Sequence, residues 1–162
     1  MLDMEDAHAE YVASDNKNNF WIAVERDTGA IVGCVGVIFR PAEHMMLAEP
    51  PGKGYLSKLK DADGKSLNSG SGGEPLWPMA ADGSTACELV RMAVRSDCRG
   101  KGVARLLAKT VAGYAEGLGC GWVVLSTSKE MTAAVRTYNS LKFKARQLST
   151  VMAFAARPAE LL

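Results

Sequence analysis

The sequence predicts an α/β domain, a β-sheet layered against helices, and three observations predict it. Residues 20–39, FWIAVERDTGAIVGCVGVIF, hold two apolar runs around the turn signal Arg26-Asp27-Thr28-Gly29, the pattern of a β-hairpin. Residues 100–118 carry apolar side chains at Val103, Leu106, Leu107, Val111, Tyr114 and Leu118, the 3.6-residue stripe of an amphipathic helix. Short apolar runs of buried-strand type stand on either side of that stripe, at 86–94 and 122–125. A chain of 162 residues fits one domain, 1–162, and an apolar content of 48% supplies its core.

In chain order, residues 1–18 are polar and read as a short helix at most. Gly33 and Gly36 interrupt the second strand of the hairpin, which predicts a twist or a close backbone approach there. Residues 41–85 differ: they contain Pro50-Pro51, the run NSGSGGEP and little periodicity, so they read as a long flexible insertion between two strands. Their basic piece, KGYLSKLK at 53–60, is either a substrate-recruiting element or a solvated loop. In the strand ACELVRMAV at 86–94, strict alternation puts Glu88, Val90, Met92 and Val94 on one face. Cys87, Leu89, Arg91 and Ala93 then take the other. Gly119 suits the cap of the first helix. A second helix starts near Met131 with its stripe at Ala134, Val135, Tyr138 and Leu141, and 143–155 alternates enough for one or two closing strands.

Nineteen basic residues against eighteen acidic ones leave a formal charge of +1, which argues against broad nucleic-acid binding. Cys34, Cys87, Cys98 and Cys120 make no C-x-x-C pair and His8 lies far from His44, so no metal site is expected. The cysteines read as reduced, mostly buried thiols of a cytoplasmic protein. No stretch reaches the roughly 20 apolar residues of a membrane span. The acidic, polar start MLDMEDAHAE is no secretory signal.

The sharpest local feature is Arg99-Gly100-Lys101-Gly102-Val103-Ala104, between a strand and a helix. A helix N-terminus offers unbonded N–H groups and a positive dipole end, and so holds anions. Glycines let the backbone approach a phosphate with no Cβ in the way. A Walker A loop needs Ser or Thr after its Gly-Lys, where Gly102 stands; a dinucleotide fingerprint needs a third glycine, where Arg105 stands. The remaining readings are a pyrophosphate cradle of another kind or a tight strand-to-helix turn.

That hexapeptide matches the (Arg/Gln)-x-x-Gly-x-(Gly/Ala) loop of the GNAT superfamily of N-acetyltransferases, in which it binds the coenzyme A pyrophosphate. Residues 88–94 resemble the family's fourth strand and 122–127 its fifth. The helix from Met131 to Tyr138, followed by Lys142-Phe143, resembles its closing motif, and 20–37 its second and third strands. The resemblance implies a GNAT fold, a mixed central sheet flanked by helices, with 41–85 inserted between strands 3 and 4. It implies acetyl-coenzyme A as cosubstrate and an amine as acceptor. Within the superfamily the chain is most similar to the camello-like subgroup, on Asp3-Met4, Phe20-Trp21, the 99–104 loop, Thr127-Ser128 and Tyr138. Lys142 stands where the family usually has glycine. The family's first strand and helix have no counterpart before Phe20, which implies a reduced or truncated front, and the hydrophobic upstream segment of camello-like relatives is absent.

Transfer of an acetyl group from a thioester to an amine needs a proton removed from the amine, donors for the oxyanion and a proton for the departing thiolate. The resemblance puts Tyr138 at the position of the family's acid; the other reading is an ordinary core tyrosine. Glu88 lies near where relatives place a catalytic glutamate, and is a base acting through water or a charged strand end. Cys87 as nucleophile lacks a histidine nearby in sequence. As in relatives, the backbone of Met92, Ala93 and Val94 is expected to pair with the pantetheine arm, with Arg99, Gly100, Lys101, Gly102, Val103 and Ala104 around the phosphates. A bulge near Met92 would free N–H groups for the thioester carbonyl. The alternative function is a coenzyme A-binding sensor or interaction module without catalysis.

Overall fold

A computed structural model describes Tyr11 and residues 17–41, 83–148 and 151–162. The insertion at 41–85 and the polar start at 1–18 therefore lie mostly outside the described residues. Strands β1 (Asn19–Val24) and β2 (Ile31–Arg40) form the expected hairpin. Its turn closes with Glu25 N–H donating to Ala30 O at 2.8 Å and Gly29 N–H to Glu25 O at 2.9 Å. Gly29 sits at φ +70°, a left-handed setting that glycine adopts without a Cβ clash.

β2 pairs antiparallel with β3 (Ala86–Val94). The chain then passes a 3₁₀ turn (Ser96–Cys98) and the glycine loop into helix α1 (Val103–Gly117), and returns as β4 (Trp122–Ser128) parallel to β3. Helix α2 (Thr132–Ser140) follows, then β5 (Lys144–Leu148) and β6 (Val151–Ala156), an antiparallel pair. The sheet order is β1-β2-β3-β4-β6-β5, the mixed sheet expected. A short helix α3 (Pro158–Leu161), unread in the sequence, ends the chain. It is opened by Pro158 and by Arg157 N–H donating to Glu160 Oε2 at 3.1 Å.

The core lies between the sheet and its helices, centred on Val35, Val37, Val111, Val123, Leu125 and Phe154. The helical stripe needs one correction. Leu106, assigned to it, is 60% exposed; α1 packs through Leu107, Ala108, Val111, Ala112 and Ala115. At 3.6 residues per turn Leu106 lies about 140° round the helix from Val111. The alanines bring α1 close to the sheet, and the expected close approach at Gly33 is its consequence. A Cβ there would stand 2.9 Å from Ala93 O, 3.1 Å from Val103 Cγ1 and 3.2 Å from Leu107 Cδ1. Among the described residues no helix is long and apolar enough to cross a membrane.

Candidate functional site

β3 and β4 are zipped at one end. Their register pairs Ala86 with Trp122, Cys87 with Val123 and Glu88 with Val124, and stops. Beyond it residues 89–94 stay on β2 and 125–128 on β6. The strands part into a wedge, and among the described residues each presents a sheet edge with no strand partner on the facing side. Such an edge is a template for another extended chain.

A bulge shapes the β3 side of the wedge. Cys34 pairs with Ala93 but Gly36 with Val90, so Arg91 and Met92 together oppose Val35. Arg91 takes φ +51° to do this. The bulge sits where it was expected, and it corrects the face assignment of the strand. Cys87 and Leu89 face the main core before the bulge, and Met92 and Val94 pack on that same core after it. Met92 and Val94 thus part company with Glu88, because one extra residue moves every later side chain to the opposite face. Arg91 turns away from this core, its guanidinium 5.4 Å from the Tyr11 ring centroid. Its carbonyl accepts the Cys34 thiol at 3.6 Å.

The glycine loop follows directly. Gly100 has φ +76° and Gly102, the residue capping α1, φ +86°. Among the described residues nothing lies within 4 Å of where a Cβ would stand on either. Leu106 N–H reaches back to Gly102 O at 3.0 Å, while the N–H groups before it have no carbonyl one turn earlier. Among the described residues no side chain caps them, and α1 has no acidic residue in its first turn. An open concavity of backbone donors at a positive helix end suits an anion. Arg99 and Lys101 are exposed beside it, and Arg99 Nε donates to Val94 O at 3.4 Å, joining the loop to the end of β3.

Tyr138 belongs to α2 and is 7% exposed. Its ring packs against Phe154 and Phe143, with centroids 5.3 Å and 5.9 Å away. Burial raises its pKa above the ordinary phenol value, so it keeps its proton at neutral pH. Glu88 forms the last zipped pair, at the point where the strands part. Its neighbours Cys87 and Leu89 face the core that holds Tyr138, so Glu88 faces the other way. There Arg40 Nε donates to Glu88 Oε2 at 2.7 Å, within an ion pair. The two candidate catalytic groups stand on opposite faces of the sheet.

The family model for the acetyltransferase (GNAT) family matches residues 2–143. The chain belongs to this family. An uncharacterized N-acetyltransferase of Schizosaccharomyces pombe is 34% identical over 94 residues, covering 58% of this chain and 54% of the relative. N-acetyltransferase 8 of Mus musculus is 30% identical over 118 residues, covering 60% of this chain and 52% of the relative. The chain spans about half the length of these curated relatives. Among solved structures, a mutant spermidine N-acetyltransferase SpeG of Vibrio cholerae superposes with TM-score 0.58 at 13% identity, covering 99% of this chain and 76% of that one. Arabidopsis thaliana NAA60 in complex with acetyl-CoA superposes with TM-score 0.56 at 17% identity, covering 89% and 76%. At such identities these structures speak for the fold, which is the GNAT fold.

Within this family fold, two residues escaped the sequence reading. Arg40 is invisible as a partner of Glu88 until the β2–β3 register sets Ile38 opposite Glu88. Tyr11, in a stretch read as uninformative, is 3% exposed, and its hydroxyl has no hydrogen-bond partner among the described residues. It fills the space over Gly36, where an added Cβ would meet its ring and hydroxyl at 3.2 Å. Gly36 was the one available signal: a strand glycine marks a place where something else comes close. No group of three or more metal-ligating side chains is gathered among the described residues.

Proposed function

We propose that this chain, a single domain over 1–162, is an acetyl-coenzyme A-dependent N-acetyltransferase that acetylates a primary amine by direct attack. The wedge between β3 and β4 carries the reading, because it ends beside a helix opened by two left-handed glycines. When bound, acetyl-coenzyme A supplies the activated acyl thioester. Residues 99–104 would hold its diphosphate. The backbone of Met92, Ala93 and Val94 would take the pantetheine arm as an added strand. Main-chain N–H groups freed at the bulge would face the carbonyl oxygen as charge develops there. Glu88, through a water, would accept the proton of an amine arriving on its own face of the sheet. Tyr138 would deliver its hydroxyl proton to the departing thiolate from the other face.

The acceptor is a small molecule, an amino-acid conjugate or a peptide. The camello-like resemblance, carried by Asp3-Met4, Phe20-Trp21, the 99–104 loop, Thr127-Ser128 and Tyr138, does not choose among these acceptors. Free thiols suit a cytoplasmic setting. One observation favours the second reading, a coenzyme A-binding module without catalysis: Glu88 is already engaged by Arg40. Free-thiol release from acetyl-coenzyme A over a panel of amines, run beside calorimetric binding, separates the two. Amine-dependent release supports transfer. Binding with no release across the panel supports the module, and no binding removes both.

A further inference from the structure

We propose that Cys87 and Cys120 form an oxidation site, a buried dithiol that a hydroperoxide converts into an intramolecular disulfide. Their sulfurs stand 3.6 Å apart, both thiols are free, and both residues are buried. The inference is independent of the acetyl-transfer reading.

Local backbone structure sets this pair. α1 ends in a Schellman motif: Gly119, at φ +69°, donates to Glu116 O at 2.9 Å and Cys120 to Ala115 O at 2.9 Å. The left-handed residue turns the chain back toward the sheet. Gly121 N–H then donates to Thr85 O at 3.0 Å, fastening the segment to the entry of β3. Cys87 projects from β3 onto the same side, into the core that also holds Cys120. A disulfide has its sulfurs about 2.05 Å apart, so they must close by about 1.5 Å, within reach of side-chain rotation and a small backbone adjustment. The other two thiols are occupied elsewhere. Cys34 donates to Arg91 O, and Cys98 lies in the 3₁₀ turn.

The pair is chemically asymmetric. The hydrogen bond shared with Cys87 lowers Cys120 to about 7, helped by a hydrogen bond with Thr85 and by the charge of Lys17, while the same contact and burial push Cys87 well up. The first proton therefore leaves Cys120, and the thiolate is the nucleophile. Cys120 sulfur attacks one peroxide oxygen and the O–O bond breaks. The departing alkoxide or hydroxide takes a proton, and Cys120 becomes a sulfenic acid. Cys87 then loses its proton and its sulfur attacks that of Cys120; the S–O bond breaks and water leaves. In sum, two thiols and one hydroperoxide give a disulfide, an alcohol (or water) and water. The bond would join positions 33 apart and enclose the bulge, the glycine loop and α1 in one covalent ring.

Peptide mapping of the reduced full chain after graded hydrogen peroxide, with alkylation in denaturant, tests this. The expected product is a Cys87–Cys120 linked peptide pair, two hydrogens lighter and cleaved by dithiothreitol, with Cys34 and Cys98 alkylated. The oxidised protein should melt several degrees above the reduced one, because the ring restricts the unfolded chain. Cys87→Ser should stop Cys120 at a sulfenic acid that dimedone captures. Four alkylated thiols after peroxide, or a link through Cys34 or Cys98, would overturn the proposal. The wild-type map decides even where a serine variant fails to fold.

Discussion

The two ends of the β3–β4 pair behave oppositely. At one end Ala86, Cys87 and Glu88 pair residue for residue with Trp122, Val123 and Val124; at the other, the same two strands share nothing. The closed end is built from side chains buried on both faces, such as Ala86, Cys87, Val123 and Val124. The open end carries the bulge at Arg91 and Met92, which bends β3 and follows β2 rather than β4. A strand pair thus serves as scaffold at one end and parts at the other, where the proposed reading seats the pantetheine arm. Of the groups proposed for chemistry, Glu88 stands at the junction of the two ends, while Tyr138 lies in the core on the opposite face of the sheet.

Predictions that test this division run from large effects to small. Tyr138→Phe should slow turnover by about 10²–10⁴-fold with acetyl-coenzyme A affinity almost unchanged, read by steady-state kinetics beside a binding isotherm. Wild-type turnover would return Tyr138 to the core, and lost binding would make its ring part of the cofactor wall. The same variant bears on alkaline stability. The raised pKa means that the folded chain keeps a proton the unfolded chain loses, so this contribution is intact below about pH 10 and is lost as pH rises toward the folded value. Unfolding curves of Tyr138→Phe should lack that part of the decline.

Glu88→Gln should cost about 10²-fold in turnover if the carboxylate accepts the proton, with little change in melting temperature. A fall in stability without a fall in turnover would make Glu88 the structural partner of Arg40. Gly100→Asp should weaken acetyl-coenzyme A by about tenfold or more, or ~1.4 kcal/mol, because it brings negative charge to the cradle and a Cβ to a residue at φ +76°. Unchanged calorimetric affinity would move the diphosphate elsewhere.

At the open end, Gly33→Ala should destabilise by about 1–3 kcal/mol, since its Cβ meets Ala93 O at 2.9 Å and the α1 side chains just beyond. Denaturant unfolding measures it; a neutral result would mean that α1 sits farther from the sheet. The smallest effect concerns Lys142, at φ +68° in the turn between α2 and β5. Lys142→Gly should stabilise by about 1 kcal/mol, the relief of a left-handed residue that has a Cβ.

Much of this site was legible in advance because its signals are local. The glycine loop and the cap at Gly119 each depend on a few neighbouring residues and on backbone angles that glycine permits, whereas the bulge near Met92 was expected from the family resemblance and centres on Arg91, a non-glycine residue at φ +51°. The partners of β3 were not legible in this way. Arg40 reaches Glu88 across 48 positions, and Tyr11 covers Gly36 from a stretch whose own pattern says little. Alternation misassigned Met92 and Val94 for a related reason: period two holds only while the ladder is unbroken, and a bulge resets it.

By itself the sequence determined the α/β class, the order of strands and helices from the hairpin to the closing strands, the glycine loop at a helix start and the family membership that its motifs announced, since periodicity, turn chemistry and glycine placement are written residue by residue. Only the tertiary structure decided which face each β3 side chain takes, that Leu106 points outward, that Glu88 is held by Arg40, and that Cys87 meets Cys120. Each of these depends on register and on packing between segments distant in the chain, and no local periodicity encodes a distance that exists only after the sheet has formed.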